Sequence, residues 1–128
     1  MILTRYCGDK SRLRFVAGKE RLMELDKQAV LARIDYDHEL FEEICAVFRN
    51  DGPQLVRKLR DAVDAGQIVV AIRHAHSLRS SSANIGASEL SELARQAELA
   101  ANQGNADIIR ALLPMIDAKL HAVIAELS

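Results

Sequence analysis

From about residue 20 onward, hydrophobic positions recur at spacings of three and four, the mark of helices that bury one stripe. Leu22, Leu25, Ala29, Val30 and Ala32 predict a helix ending near Ile34. Asp37 is placed to cap a second helix, with Leu40, Phe41, Ile44, Val47 and Phe48 on its inner face. Asn50-Asp51-Gly52-Pro53 reads as a break. Pro53 then falls in the first turn of a helix that carries Leu55, Val56, Leu59 and Val63 inside and ends at Ala65-Gly66. Ile68, Ala71, Ile72, Ala75, Leu78, Ser82 and Ile85 form the stripe of a helix over 67–84, stopped by Gly86. Ser88, with Glu89 and Ser91-Glu92 after it, is placed to start the next helix. Leu90, Leu93, Ala94, Ala97 and Ala101 are its inner positions, and Asn102-Gln103-Gly104 is its end. Asn105 can cap the last helix, whose stripe is Ile109, Leu112, Ile116, Leu120, Val123 and Leu127. Pro114 falls inside that stripe and should kink the helix or mark its real start. Residues 1–19 are the least regular part, with Gly8, Gly18 and several basic side chains. The chain thus divides into an N-terminal extension, linker or helix over 1–25 and a helical bundle over 26–128. Connections of a few residues imply antiparallel neighbours and an up-down bundle.

Composition narrows this to one all-α domain. At 128 residues, 49% of them hydrophobic, the chain can enclose one core. With no Trp and 4% aromatics, that core must be mainly Leu, Ile, Val and Ala. Only two Pro and six Gly leave long uninterrupted stretches, which favours helices. A net charge of −1 gives no general pull toward nucleic acid or an anionic membrane. No apolar run is long enough to span a bilayer, and residues 1–10 make a poor signal peptide. Cys7 and Cys45 lack metal-ligand spacing and read as two reduced thiols of a cytoplasmic protein.

The chemistry concentrates on the helix over 67–84. His76 lies about 100° round from Ala75, at the edge of the buried stripe. Its neighbours one turn away on either side are Arg73, Arg79 and Ser80. No acidic residue occurs between Asp64 and Glu89, so the field around the imidazole is positive although the whole chain is nearly neutral. An accessible imidazole is largely neutral near pH 7 and can attack phosphorus, and nearby guanidinium groups can hold the acquired phosphoryl oxygens. His74 and His76 project about 200° apart on a helix and cannot chelate one metal ion. No glycine-rich phosphate loop, acidic Mg²⁺ cluster or nucleophile elbow is present, so the chain should receive a phosphoryl group rather than make one.

The stretch Ala75-His76-Ser77-Leu78-Arg79-Ser80-Ser81-Ser82-Ala83-Asn84-Ile85-Gly86 resembles the signature of histidine phosphotransfer (HPt) domains, A-H-x-L-K-G-S-(S/A)-x-x-x-G. The resemblance implies an all-α, antiparallel up-down four-helix bundle with an additional N-terminal helix or linker. It implies that His76 is the phospho-acceptor, relaying a phosphoryl group between the aspartates of receiver domains in a multistep two-component phosphorelay. It also implies that the outer ring nitrogen is phosphorylated while a Gln or Glu on the following helix orients the inner one. Glu98 sits in that register. Arg79, Arg73 and Ser80 are then the phosphoryl or partner contacts, Arg79 replacing the family's usual Lys. Ser80 stands where the family usually has Gly. Its Cβ and hydroxyl either crowd the incoming partner or donate a hydrogen bond to the phosphoryl group. No resident cofactor is expected; Mg²⁺ would come with the receiver. The expected partners are response-regulator receiver domains, with no nucleic acid, no membrane contact and a monomeric state. The domain would act alone or as the C-terminal part of a hybrid sensor kinase. Two alternatives stand beside this reading: the dimerisation and phospho-acceptor domain of a sensor kinase, and a non-catalytic helical interaction bundle.

Overall fold

The structure is a computed structural model that describes residues 25–127. Five helices follow one another: α1 (Lys27–Arg33), α2 (His38–Asp64), α3 (Ile68–Asn84), α4 (Ser88–Asn102) and α5 (Ala106–Leu127). The last four form an antiparallel bundle in which α3 packs between α2 and α4, and α5 closes the ring against α4 and α2. Of the expected extension over 1–25, only Leu25 is described; it packs against the main core. The expectation of a helix from residue 20 falls partly outside the described residues. Within them the helix begins at Lys27, because the Asp26 side chain accepts from the Ala29 N–H and caps it.

Three of the connections are built alike. In each, a glycine with positive φ (Gly66, Gly86, Gly104) donates its N–H to a carbonyl three residues back. The residue after it donates five back: Gln67 to Ala62, Ala87 to Ser82, Asn105 to Ala100. This is the Schellman termination, which needs a left-handed residue and satisfies carbonyls that a helix end leaves open. The glycines read as stops in the sequence are therefore stops in the fold.

One expectation needs correction. The helices expected on either side of Asn50-Asp51-Gly52-Pro53 are one helix, α2, which runs through Gly52 and Pro53. Pro53 withholds one intrahelical N–H, but packing overrides the local break. Gly52 is buried, and a Cβ there would lie 3.0 Å from the Phe48 ring and 3.2 Å from Leu120 Cδ1. The glycine permits a close approach to α5 rather than a turn. Ser88 starts α4, as its place in the sequence implies. The cap position is Ala87, with no side-chain hydrogen bond, because the turn buries Ala87 completely in the core. Asn105 does cap α5, accepting from the Ile108 N–H at 3.3 Å. Pro114 neither starts nor interrupts α5.

The main core joins the inner stripes of α2 to α5, with Leu59, Leu78, Ile109 and Ile116 fully enclosed. Around Leu78 on α3 and Leu90 on α4, the enclosed positions are small: Ala71, Ala75 and Ser82 on one, Ala94, Ala97 and Ala101 on the other. Small side chains let helix axes approach to the short end of the usual 8–10 Å range. A second cluster, Val30, Leu31, Phe41 and Cys45, seats α1 on α2. Burial pushes the Cys45 thiol up, so it stays protonated.

Candidate functional site

The site lies where α3 and α4 run side by side. His76 is midway along α3, with its side chain 54% exposed. Its neighbour in the stripe, Ala75, is fully buried, so the imidazole emerges at the boundary between core and solvent. Glu98 occupies the matching edge of α4 and is largely covered, its side chain 17% exposed. The close packing of α3 on α4 brings the two together. His76 Nδ1 lies 3.0 Å from Glu98 Oε2. A carboxylate can only accept, so in the tautomer that donates from Nδ1 to Glu98, Nε2 keeps its lone pair. Nε2 has no hydrogen-bond partner among the described residues.

Arg79 faces the same carboxylate. Its Nη1 is 3.2 Å from Glu98 Oε1, and its Nη2 is 3.4 Å from His76 Nδ1. Glu98 Oε1 is shielded from solvent and has no aligned hydrogen bond, so the Arg79 contact there is an ion pair without a proton bridge. Arg73 and Ser80 are exposed and make no ion pair or hydrogen bond among the described residues. The sequence-derived residues thus fall into two groups. His76, Glu98 and Arg79 form one contact triangle, while Arg73 and Ser80 stand in solvent one turn to either side of His76 on α3.

Sequence reasoning missed the groups that buttress this triangle. Ser91 on α4 donates its hydroxyl to the Arg79 carbonyl at 3.0 Å, tying the two helices at the level of the site. The Asn102 amide donates to the Glu98 carbonyl at 3.1 Å. At the α3–α4 turn, the Asp26 N–H donates to the Gly86 carbonyl at 2.9 Å, and Arg33 donates to the Ala83 carbonyl at 3.2 Å. The signal available in the sequence was a small polar residue at the edge of a stripe, a pattern that surface positions share.

His74 turns away from His76 and is half-buried. Burial, then the Arg73 and Lys58 charges, hold its imidazole below the usual histidine range. Among the described residues no group of three or more His, Cys, Asp or Glu could hold a metal ion.

The fold is similar to that of histidine-containing phosphotransfer protein B from Pseudomonas aeruginosa PAO1, with a TM-score of 0.75 and 22% identity. That likeness covers 81% of this chain and 90% of the other. No curated protein matches the chain. The family model of the Hpt domain matches residues 43–127, from the second turn of α2 to the end of α5. With that match over more than half of its length, the chain belongs to the Hpt domain family, the histidine phosphotransfer modules of two-component phosphorelays.

Proposed function

We propose that His76 is the residue that accepts and passes on the phosphoryl group. The observation that carries this reading is the Nδ1 contact with Glu98, which leaves Nε2 as the available nucleophile on the exposed side of the ring. Hpt domains interact with receiver domains of response regulators. In the proposed step, a receiver aspartyl phosphate docks over the imidazole. The Nε2 lone pair forms a bond to phosphorus as the bond from phosphorus to the aspartate oxygen breaks, its electron pair leaving on the carboxylate. The ring gains positive charge, which Glu98 supports through Nδ1–H. Reversal of the step onto a second receiver aspartate completes the relay. Transfer of this kind depends on positioning and charge neutralisation. The chain supplies these through a rigid helix and the cationic rim of Arg73 and Arg79, with Ser80 beside it. Any Mg²⁺ belongs to the receiver's acidic pocket.

The domain is proposed to act as a cytoplasmic monomer. No described helix is long and apolar enough to cross a membrane, and the α3 and α4 stripes are consumed inside the bundle. The chemistry is the same for a stand-alone protein and for the C-terminal part of a hybrid sensor kinase, because every residue it uses lies on α3 or α4.

Incubation with a phosphorylated receiver tests the reading. The wild-type chain should take the label, and His76→Gln should not, while keeping its helical circular dichroism. Gln is a good helix former and the position is outside the core, so the fold should be retained. A labelled His76→Gln variant refutes the assignment.

A further inference from the structure

We propose that the groove between α2 and α3 is the seat of this chain's own residues 12–16, which a receiver must displace to reach His76. The seat depends on the groove and the segment alone. Its effect on transfer rests on His76 being the acceptor.

The groove has a volume of about 360 Å³, and its apolar lining includes Leu40, Val47 and Phe48 from α2 and Ile85 from α3. Phe48 and Ile85 are buried, while Leu40 and Val47 stay 39% and 58% exposed. Its charged lining residues are Glu43 and Asp51, both exposed and without an ion pair among the described residues. The groove thus joins an apolar surface to two free carboxylates, and no cation lines it. Two other clefts differ. The one at the α3–α4 turn holds Arg33, Arg79 and Arg95 against Asp26 and Glu92. The one between α2 and α5 holds Arg57 and Arg60 against Asp117.

The occupant that fits an apolar groove with an acidic rim is an apolar segment with basic neighbours. Arg12-Leu13-Arg14-Phe15-Val16 has that character. Residues 1–24 hold six Lys and Arg against three Asp and Glu, so a chain of net charge −1 leaves −4 on residues 25–128. In extended form the segment offers Leu13 and Phe15 on one side and the two arginines on the other. Reach is no obstacle. Residues 17–24 join the segment to Leu25 and can span about 26 Å. Leu25 precedes Asp26, whose N–H bonds the Gly86 carbonyl, and Ile85 of the groove precedes Gly86. A short tether also holds its segment at an effective concentration on the order of millimolar, so a weak contact suffices.

The groove borders the acceptor on the flank away from Glu98. Asn84, which lines it, lies about 80° round α3 from His76, on the side opposite Arg79. A segment seated there narrows the approach to Nε2.

Disulfide trapping in the full-length chain tests the seat. Cys7→Ser leaves Cys45, which is buried, as the remaining native thiol. Ala17→Cys is then paired with Asn84→Cys or, as the reference, with Ser88→Cys. Ser88 is exposed in the arginine-lined cleft, which Asp26 also lines, so the tether alone favours the reference pair. In a glutathione redox buffer the Asn84 pair should close within one chain at least about tenfold faster than the reference pair. Phe15→Glu should abolish that preference, and Glu43→Gln with Asp51→Asn should weaken it, as should high salt. Equal rates for the two pairs overturn the seat. Disulfides that join two chains overturn an intramolecular occupant. A preference that ignores both the carboxylates and salt overturns recognition by the acidic rim. In an otherwise unaltered chain, Phe15→Glu should speed transfer from a limiting phosphorylated receiver, about tenfold if the groove is nine-tenths occupied. An unchanged rate overturns the competition. Failure of the acceptor reading gives a different result, label that persists in His76→Gln with the disulfide rates unmoved.

Discussion

Glu98 is the side chain whose removal separates orientation from nucleophilicity. Glu98→Ala deletes the partner of Nδ1 and leaves Nε2 in place. Single-turnover transfer from a phosphorylated receiver should slow by about 10–100-fold without vanishing, as for other residues that hold a reactive imidazole. A wild-type rate would make Glu98 a bystander. His74 provides a second test, through stability. Its folded-state imidazole sits below the ordinary value of 6.5, chiefly through burial. Between those two values the unfolded chain binds more protons than the folded one. The contribution is thus fully present above pH 6.5 and fades as pH falls through the folded-state value. Urea titrations at pH 7 and pH 5 should show wild type losing more stability on acidification than His74→Gln; equal losses would contradict the burial argument. At this scale the sequence was readable in part. Periodicity put His76 and Glu98 on stripe edges, and the family resemblance implied their pairing. The ion pair of Arg79 with Glu98 spans two helices whose relative height depends on packing that neither helix encodes alone.

Between elements, the decisive feature is the glycine at the α3–α4 turn. Gly86 has φ +81, and a Cβ there would lie 2.8 Å from the Asp26 carbonyl oxygen and 2.9 Å from Val30 Cγ2. It both turns the chain and forms the seat for α1. Gly86→Ala should cost at least about 1–2 kcal/mol from the left-handed backbone alone. It should also unseat α1, seen as faster hydrogen exchange at the Asp26 amide, which bonds the Gly86 carbonyl. Unchanged exchange there would show that α1 docks independently of this turn. The contrast with Gly52 explains the misread break in α2. Both glycines are buried, but Gly86 has positive φ at the end of a stripe, whereas Gly52 lies within one. Local turn chemistry cannot tell a packing glycine from a turning one when the partner is a helix more than sixty residues away. In this fold that partner contributes Leu120.

For the whole molecule, the core and the chemistry are separable. Ile116 on α5 is fully buried in the main core, while the triangle of His76, Glu98 and Arg79 lies on α3 and α4. Ile116→Ala should cost about 2–5 kcal/mol in urea unfolding. Under conditions where the variant remains folded, its transfer rate per folded molecule should match wild type. A slowed rate would mean that α5 packing sets the spacing of the α3–α4 pair.

The Leu25 N–H donates to Glu126 Oε1 at 3.2 Å, and Arg49 donates to the Leu127 carbonyl at 2.7 Å. Both ends of the described chain therefore meet at the pole that holds the α3–α4 turn, and the Gly66 and Gly104 turns close the opposite pole. His76, midway along α3, presents its nitrogen across the helix axes. The ends of the described chain are thus gathered at one pole, away from the lateral face on which the imidazole lies.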